Sequence, residues 1–292
     1  MPKFSWFLSS LASVSIVAAS AIPGATQALL PYTPQIDSDK LEDRGLQLHQ
    51  EAIQLIKFQQ YELALPRAEL ATQLAPNNYE VWFILGSLYL QQEEIERGIK
   101  TLQKAETLAP QEEGILFVLG NAYFQQGDYK QALEKLEAGL ELEENAPEAL
   151  FDLGNTYLKL EKPQKAIDSY QQAFEQEATF WPAINNVGLV QYEEGDLDSA
   201  IDNWQTALTI DEEQPEPKLA LAVASYVKGD REQGIEMAAA ALESDIRYAD
   251  LQFLRDNLWG EKLIGDTEAL LALPQMKELI GNAQTEAEAE LR

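Results

Sequence analysis

The stretch from Leu119, LGNAYFQQGDYKQALEKLEAGLEL, returns 34 residues later from Leu153 as LGNTYLKLEKPQKAIDSYQQAF, and stands 34 residues earlier from Leu85 as LGSLYLQQEEIERGIKTLQKAETLAP. This fixed period constrains the fold more than any other feature of the chain. A unit so short cannot bury its own apolar face and must stack on neighbours, so the period predicts repeated helix–turn–helix pairs. A 34-residue ruler laid from Gly45 gives six units, 45–78, 79–112, 113–146, 147–180, 181–214 and 215–248, with no insertion or deletion.

Within that ruler the residue types recur. Position 4 is large and apolar (Trp82, Leu116, Leu150), positions 7 and 8 read Leu-Gly (Leu85-Gly86, Leu119-Gly120, Leu153-Gly154), and position 11 is Tyr (Tyr89, Tyr123, Tyr157). Position 20 is small (Gly98, Ala132, Ala166, Ala200), position 24 bulky (Leu102, Leu136, Tyr170, Trp204), and position 27 Ala (Ala105, Ala173, Ala207). Small residues let two antiparallel helices approach while bulky ones fill the space between them. Gly-Asp at 127–128, 195–196 and 229–230 marks turns within units; Pro76 and Pro110 end helices, and Pro147, Pro163 and Pro215 begin them.

On these residues the chain resembles the tetratricopeptide-repeat (TPR) proteins over residues 45–248. The resemblance implies an all-α fold, a right-handed solenoid of six stacked hairpins with C-terminal capping helices. Departures fall at the ends. The first unit has Glu51-Ala52 in place of Leu-Gly, and Pro66 is expected to kink or shorten its second helix. The sixth keeps its spacing and Gly229-Asp230 but has Lys218, Ala222, Ser225 and Ala238 at signature positions. Residues 249–280 are expected to cap the last repeat's apolar face: one or two helices over Asp250 to Leu273, then a short one after Pro274 through Ile280. A partner-docking helix is the alternative. Residues 281–292 are expected to be a disordered acidic tail.

Residues 1–28 read as an export signal: Lys3, an uncharged run from Phe4 to Ile22, a Pro23-Gly24 break, and small residues around Ala28 for cleavage. An uncleaved membrane anchor is the alternative. Residues 29–44 are then a linker and lead-in kept extended by Pro31 and Pro34.

The formal charge of -28, from 49 acidic and 21 basic side chains, repels phosphate backbones and favours basic partners, so nucleic acid is not expected. With no Cys and a single His, His49, the chain lacks the means for thiolate sites, a His-based triad or a multi-His metal site. No phosphate loop, dinucleotide fingerprint or EF-hand spacing occurs. Neither cofactor, metal nor catalysis is therefore predicted. The enzyme alternative is a carboxylate-based hydrolase or divalent-cation binder using pairs such as Glu143-Glu144 and Glu212-Glu213, where loop solvation is the simpler explanation.

In TPR proteins the first helices line a concave groove, and contacts come mainly from their positions 2, 5, 9 and 12. Carried onto this chain, the resemblance implies a groove lined by Phe83, Phe117 and Phe151 at position 5 and by Ser87, Asn121 and Asn155 at position 9. Position 12 adds Leu90, Phe124, Leu158, Tyr192 and Tyr226. The expected partner is a protein or peptide segment, basic and apolar. Two alternatives stay open: the Phe residues wedge between repeats, and Tyr192 and Tyr226 fill the gap left where position 11 is not Tyr. A carboxylate-clamp subtype is disfavoured, because Phe stands where its Lys is expected.

The resulting expectation is a non-enzymatic scaffold assisting assembly or stabilisation of a complex. It is similar to exported TPR proteins of cyanobacteria and the chloroplast lumen, which implies a periplasm or thylakoid lumen. A membrane-tethered, self-associating homo-oligomer is the alternative, with membrane contact only if the N-terminal segment is retained.

Overall fold

The computed structural model describes residues 37–290; the expected export signal lies outside them. From Asp39 onward the described residues form one compact unit. Six antiparallel hairpins follow one another: α1 (Ser38–Lys57) with α2 (Tyr61–Leu74), α3 (Tyr79–Gln91) with α4 (Ile95–Leu108), α5 (Glu113–Gln126) with α6 (Tyr129–Leu142), α7 (Pro147–Lys159) with α8 (Pro163–Gln176), α9 (Trp181–Glu194) with α10 (Leu197–Ile210), and α11 (Pro215–Lys228) with α12 (Arg231–Ser244). Each first helix from α3 onward begins at the first residue of a ruler unit. The all-helical solenoid of six hairpins is as the sequence predicts.

Helix boundaries have local causes. Pro opens α7, α8 and α11, where the missing N–H has no intrahelical partner to lose. Asn78, Asp128 and Asp196 accept the N–H groups of Val81, Gln131 and Ser199 and cap α3, α6 and α10. Position 15 of every unit is left-handed: Gly127, Gly195 and Gly229 at φ +85°, +90° and +116°, and Gln59, Glu93 and Glu161 at φ +57°, +61° and +57°.

The close approach at position 8 is equally regular. A Cβ on Gly86, Gly120, Gly154 or Gly188 would come within 2.4–2.6 Å of Leu102, Leu136, Tyr170 or Trp204, the position-24 side chain of the same hairpin. Position 11 does more than fill space. The hydroxyls of Tyr89 and Tyr157 donate to Glu69 and Glu137 at 2.9 and 2.6 Å, and the Gln103 amide donates to the Tyr123 hydroxyl at 2.9 Å. Each partner is position 25 of the preceding unit, so the same tyrosine locks three successive junctions in register.

Three expectations need correction. α2 runs 14 residues with Pro66 inside, as long as α4, so the proline does not shorten it. Burial of Ala64, Ala68 and Ala71 holds the helix despite the lost N–H. The lead-in is helical from Ser38. The last helix, α15 (Pro274–Glu290), runs through most of the supposed disordered tail, as the alternation of Glu with Ala, a strong helix former, allows.

The expected C-terminal cap is present, and it reaches beyond the last repeat. A 3₁₀ turn (Ile246–Ala249), α13 (Leu251–Asp256) and α14 (Glu261–Leu271) follow α12. The turn and α15 do pack on α12, but α14 packs against α9 and α11, two first helices. The C-terminal segment therefore covers the first-helix face of repeats 5 and 6 as well as the end of the array.

Candidate functional site

The first-helix face divides in two. Over repeats 5 and 6 it is closed by the chain itself. Leu189, Leu219 and Val223 share one buried cluster with Leu254, Trp259, Leu263, Ile264 and Leu270. Polar contacts fix the seat. The Glu193 carboxylate accepts the N–H groups of Lys262 and Leu263 at 3.2 and 2.9 Å, capping α14, whose own N-cap residue, Gly260, has no side chain to do so. The Lys262 ammonium donates to the Tyr192 carbonyl at 3.0 Å, and the Trp259 indole donates to Glu216 at 3.1 Å. Burial pushes the Glu216 carboxyl up to about 7, against the hydrogen bonds from Trp259 and Asn185.

Tyr192 and Tyr226 belong to this closed part. Tyr192 is 1 % exposed, donates to Asp266 at 2.6 Å, and lies 5.9 Å from the Trp204 ring. Burial and the Asp266 carboxylate raise its phenol well above the usual range. Tyr226 packs on Gly234 within its own hairpin. Tyr192 is a core residue and Tyr226 is half-buried against the same cluster, the side chain one place after a missing tyrosine taking up the vacant volume.

Over repeats 1 to 3 and most of α7 the same face is uncovered by any described element; at the end of α7, Leu158 and Lys159 share a cavity with Arg255, Leu258 and Trp259 of the C-terminal segment. Phe83, Phe117 and Phe151 are each half-buried. Phe117 lies over Gly139, and Phe151 sits 5.6 Å from Tyr170 and 5.5 Å from Phe180, edge to face with the latter. These rings both wedge the hairpins and present a remaining surface, so the two readings of the Phe ladder are not exclusive. Leu90 packs on Gly98, and Phe124 lies 5.3 Å from Tyr129; Leu158 is likewise half-buried in the cluster around Tyr157 and Tyr170. At least Leu90 at position 12 thus points toward its own second helix.

Position 9 carries a polar line. Ser87 donates to its own helix at the Phe83 carbonyl, 2.9 Å. Asn121 accepts from Gln125 at 2.6 Å and donates to Asp152 at 3.4 Å. The Asn155 oxygen accepts from both the Tyr170 hydroxyl at 2.8 Å and the Asn186 amide at 3.2 Å, so it is already engaged. Asp152 was not anticipated. Burial pushes its carboxyl up to about 6, with the Glu148 charge adding to the rise and the Asn121 hydrogen bond opposing it. Its signal in the sequence was position 6, two residues before the Gly-Asn pair, where an acid in a first helix has no core role.

Two cavities open on the uncovered face. One, about 430 Å³, lies between α5 and α7 beside Phe117, Val118, Asn121, Glu148 and Asp152. The other, about 270 Å³, lies between α1, α3 and α5 and is lined by His49, Tyr79, Glu80, Phe83, Glu112 and the isoleucines 53, 84 and 115. Among the described residues no group of three or more His, Asp or Glu is placed to hold a metal ion, and no helix is long and apolar enough to cross a membrane.

Family models agree with the repeat register. One described as a TPR repeat matches residues 120–161, one described as a tetratricopeptide repeat matches 147–180, and that of anaphase-promoting complex (cyclosome) subunit 3 matches 57–139. Among curated proteins, none matches the chain by sequence. Solved structures share the fold. PilF of Pseudomonas aeruginosa is 16% identical with a TM-score of 0.62, over 76% of this chain and 98% of that one. MamA of Desulfovibrio magneticus is 19% identical with a TM-score of 0.55, over 59% and 97%. YrrB, described as a TPR protein with an unusual peptide-binding site, is 22% identical with a TM-score of 0.50, over 65% and 97%. The matched repeats over residues 120–180 and the paired-helix geometry coincide, and the six hairpins have the form of a tetratricopeptide-type solenoid.

Proposed function

We propose that the protein is a non-enzymatic scaffold that holds a segment of a partner polypeptide along the first-helix face of repeats 1 to 4, and so assists assembly or stabilisation of a complex. One observation carries this reading. The face is covered by the chain's own C-terminal segment over repeats 5 and 6 and the end of α7, and among the described residues it continues uncovered toward repeat 1 with Phe83, Phe117, Phe151, Asn121 and Asp152 upon it. A surface that already seats polypeptide at one end has the mixture of apolar rings and fixed polar groups that peptide recognition uses. A peptide-binding site is described for YrrB, a protein of the same fold. The setting outside the cytoplasm, a periplasm or thylakoid lumen, rests on the sequence of residues 1–28 alone.

A photo-reactive phenylalanine placed at Gly114, where a side chain meets open space, tests the site. It should cross-link a partner in the native compartment, while the same residue at the exposed Lys104 on α4 should not. Equal cross-linking from both positions, or from Lys104 alone, would refute the assignment.

A further inference from the structure

We infer that the cavity between α1, α3 and α5 is a specificity pocket for one long cationic side chain, a lysine or arginine, of the bound segment; this rests on the scaffold reading above. The cavity is about 270 Å³, below the roughly 300–1,000 Å³ usual for small-molecule sites, and suits a single side chain. Its chemistry is split. Ile53, Phe83, Ile84 and Ile115 supply apolar walls that match the methylene stem of such a residue. Glu80 and Glu112 supply charge, Glu112 being only loosely engaged by the Tyr79 hydroxyl at 3.4 Å.

The independent pointer to a ligand is His49. It is 4 % exposed, lines the cavity, and its Nδ1 has no hydrogen-bond partner among the described residues. A buried polar atom left unpaired forfeits its hydration with nothing in return, and native structures rarely leave one so without use. Burial lowers the imidazole's proton affinity, outweighing the charge of Glu80, so the ring is neutral near pH 7 and can accept a hydrogen bond from an ammonium or guanidinium. The overall charge of -28 favours basic over acidic segments as partners. An acidic or purely apolar side chain would leave the carboxylates, the imidazole or both without partners.

The mouth of the pocket is equally specific. Position 2 of the neighbouring units is Glu80 and Glu148, but here it is Gly114, where an added Cβ meets nothing within 4 Å. The entrance is open because that side chain is missing.

The test uses the full-length untagged chain, whose single histidine gives one imidazole signal. Two synthetic decapeptides are titrated, identical alternations of leucine and alanine around one central lysine or norleucine, which keeps the four-carbon stem and lacks the ammonium. The lysine form should bind at least about tenfold more tightly, the effect of one charge-assisted hydrogen bond, and should shift the His49 resonance. Both effects should disappear in Glu80→Gln/Glu112→Gln and in Gly114→Leu, which fills the mouth without meeting neighbours at its Cβ. Equal affinities, or a lysine preference that survives both variants, would overturn the pocket. If a partner cross-links from Gly114 yet shows no such preference, the pocket falls and the scaffold stands. If cross-linking itself fails, both fall.

Discussion

At the scale of single residues, the array is specified by glycine and aromatic positions whose costs can be tested separately. Gly188 faces the buried Trp204 indole, which is also held by its hydrogen bond to the Asn185 carbonyl at 3.2 Å and cannot move aside. Gly188→Ala should therefore destabilise by about 1–3 kcal/mol, as overpacking does, despite alanine's better helix propensity. Glu161 presents the opposite case. It is exposed and left-handed at φ +57°, where an L side chain costs about 1–2 kcal/mol and glycine's extra freedom when unfolded offsets about 0.5–1. Glu161→Gly should raise the urea midpoint, and an unchanged or lowered midpoint would show that the position-15 conformation carries no strain.

The carboxyl of Glu216 provides a pH test. Its pKa of about 7 lies above that of an unfolded-chain Glu, so between roughly pH 4.5 and 7 the folded state binds a proton that the unfolded state does not. Its contribution thus favours folding at the acidic end and is lost as pH rises through about 7. Glu216→Gln keeps an acceptor for Trp259 and should flatten the dependence of the urea midpoint between pH 5 and 8; an unaltered slope would contradict the assignment. The register residues were legible in the sequence because one period fixes what each must touch. The hydrogen bonds of Tyr89, Tyr123 and Tyr157 were not, since the ruler gives volume at position 11 but not which polar end lies across the junction.

At the scale of elements, the hairpins follow from the period, whereas the place of the C-terminal helices does not. Beyond residue 248 no repeat spacing constrains the path, so a cap on the last repeat's end was the natural expectation. The sequence nevertheless held a clue. Residues 219–224 of α11, Leu-Ala-Leu-Ala-Val-Ala, are apolar all round, and all of them are buried. A helix without a polar face must be covered on every side. Position 9 gives the same signal, changing from Ser87, Asn121 and Asn155 to Leu189 and Val223 where the face becomes covered. The seat of α14 depends on a side chain from another helix. Glu193→Ala should remove that cap and lower stability by about 1 kcal/mol, with faster amide exchange in α14 before α3 or α4. Uniform loosening of all helices would show that Glu193 is not the specific anchor.

At the scale of the whole molecule, the proposed groove uses only the first four repeats of a six-repeat array. The candidate site read from the sequence was correspondingly half legible: Phe83, Phe117, Phe151 and Asn121 lie on the uncovered face, while Tyr192 is enclosed by a segment whose route no period encodes and Tyr226 packs within its own hairpin. Asp152, Glu80, Glu112 and His49 gain meaning only when neighbouring hairpins bring them to shared cavities.

The most direct measurement is a hydrogen-exchange footprint of the full chain with the segment recovered from cross-linking at Gly114. Added protection should fall on α1, α3, α5 and α7 and leave α9, α11 and α14 as they are without partner. Protection confined to α4, α6 and α8, or release of α14 as the segment binds, would contradict a groove that is open over four repeats and permanently closed over two.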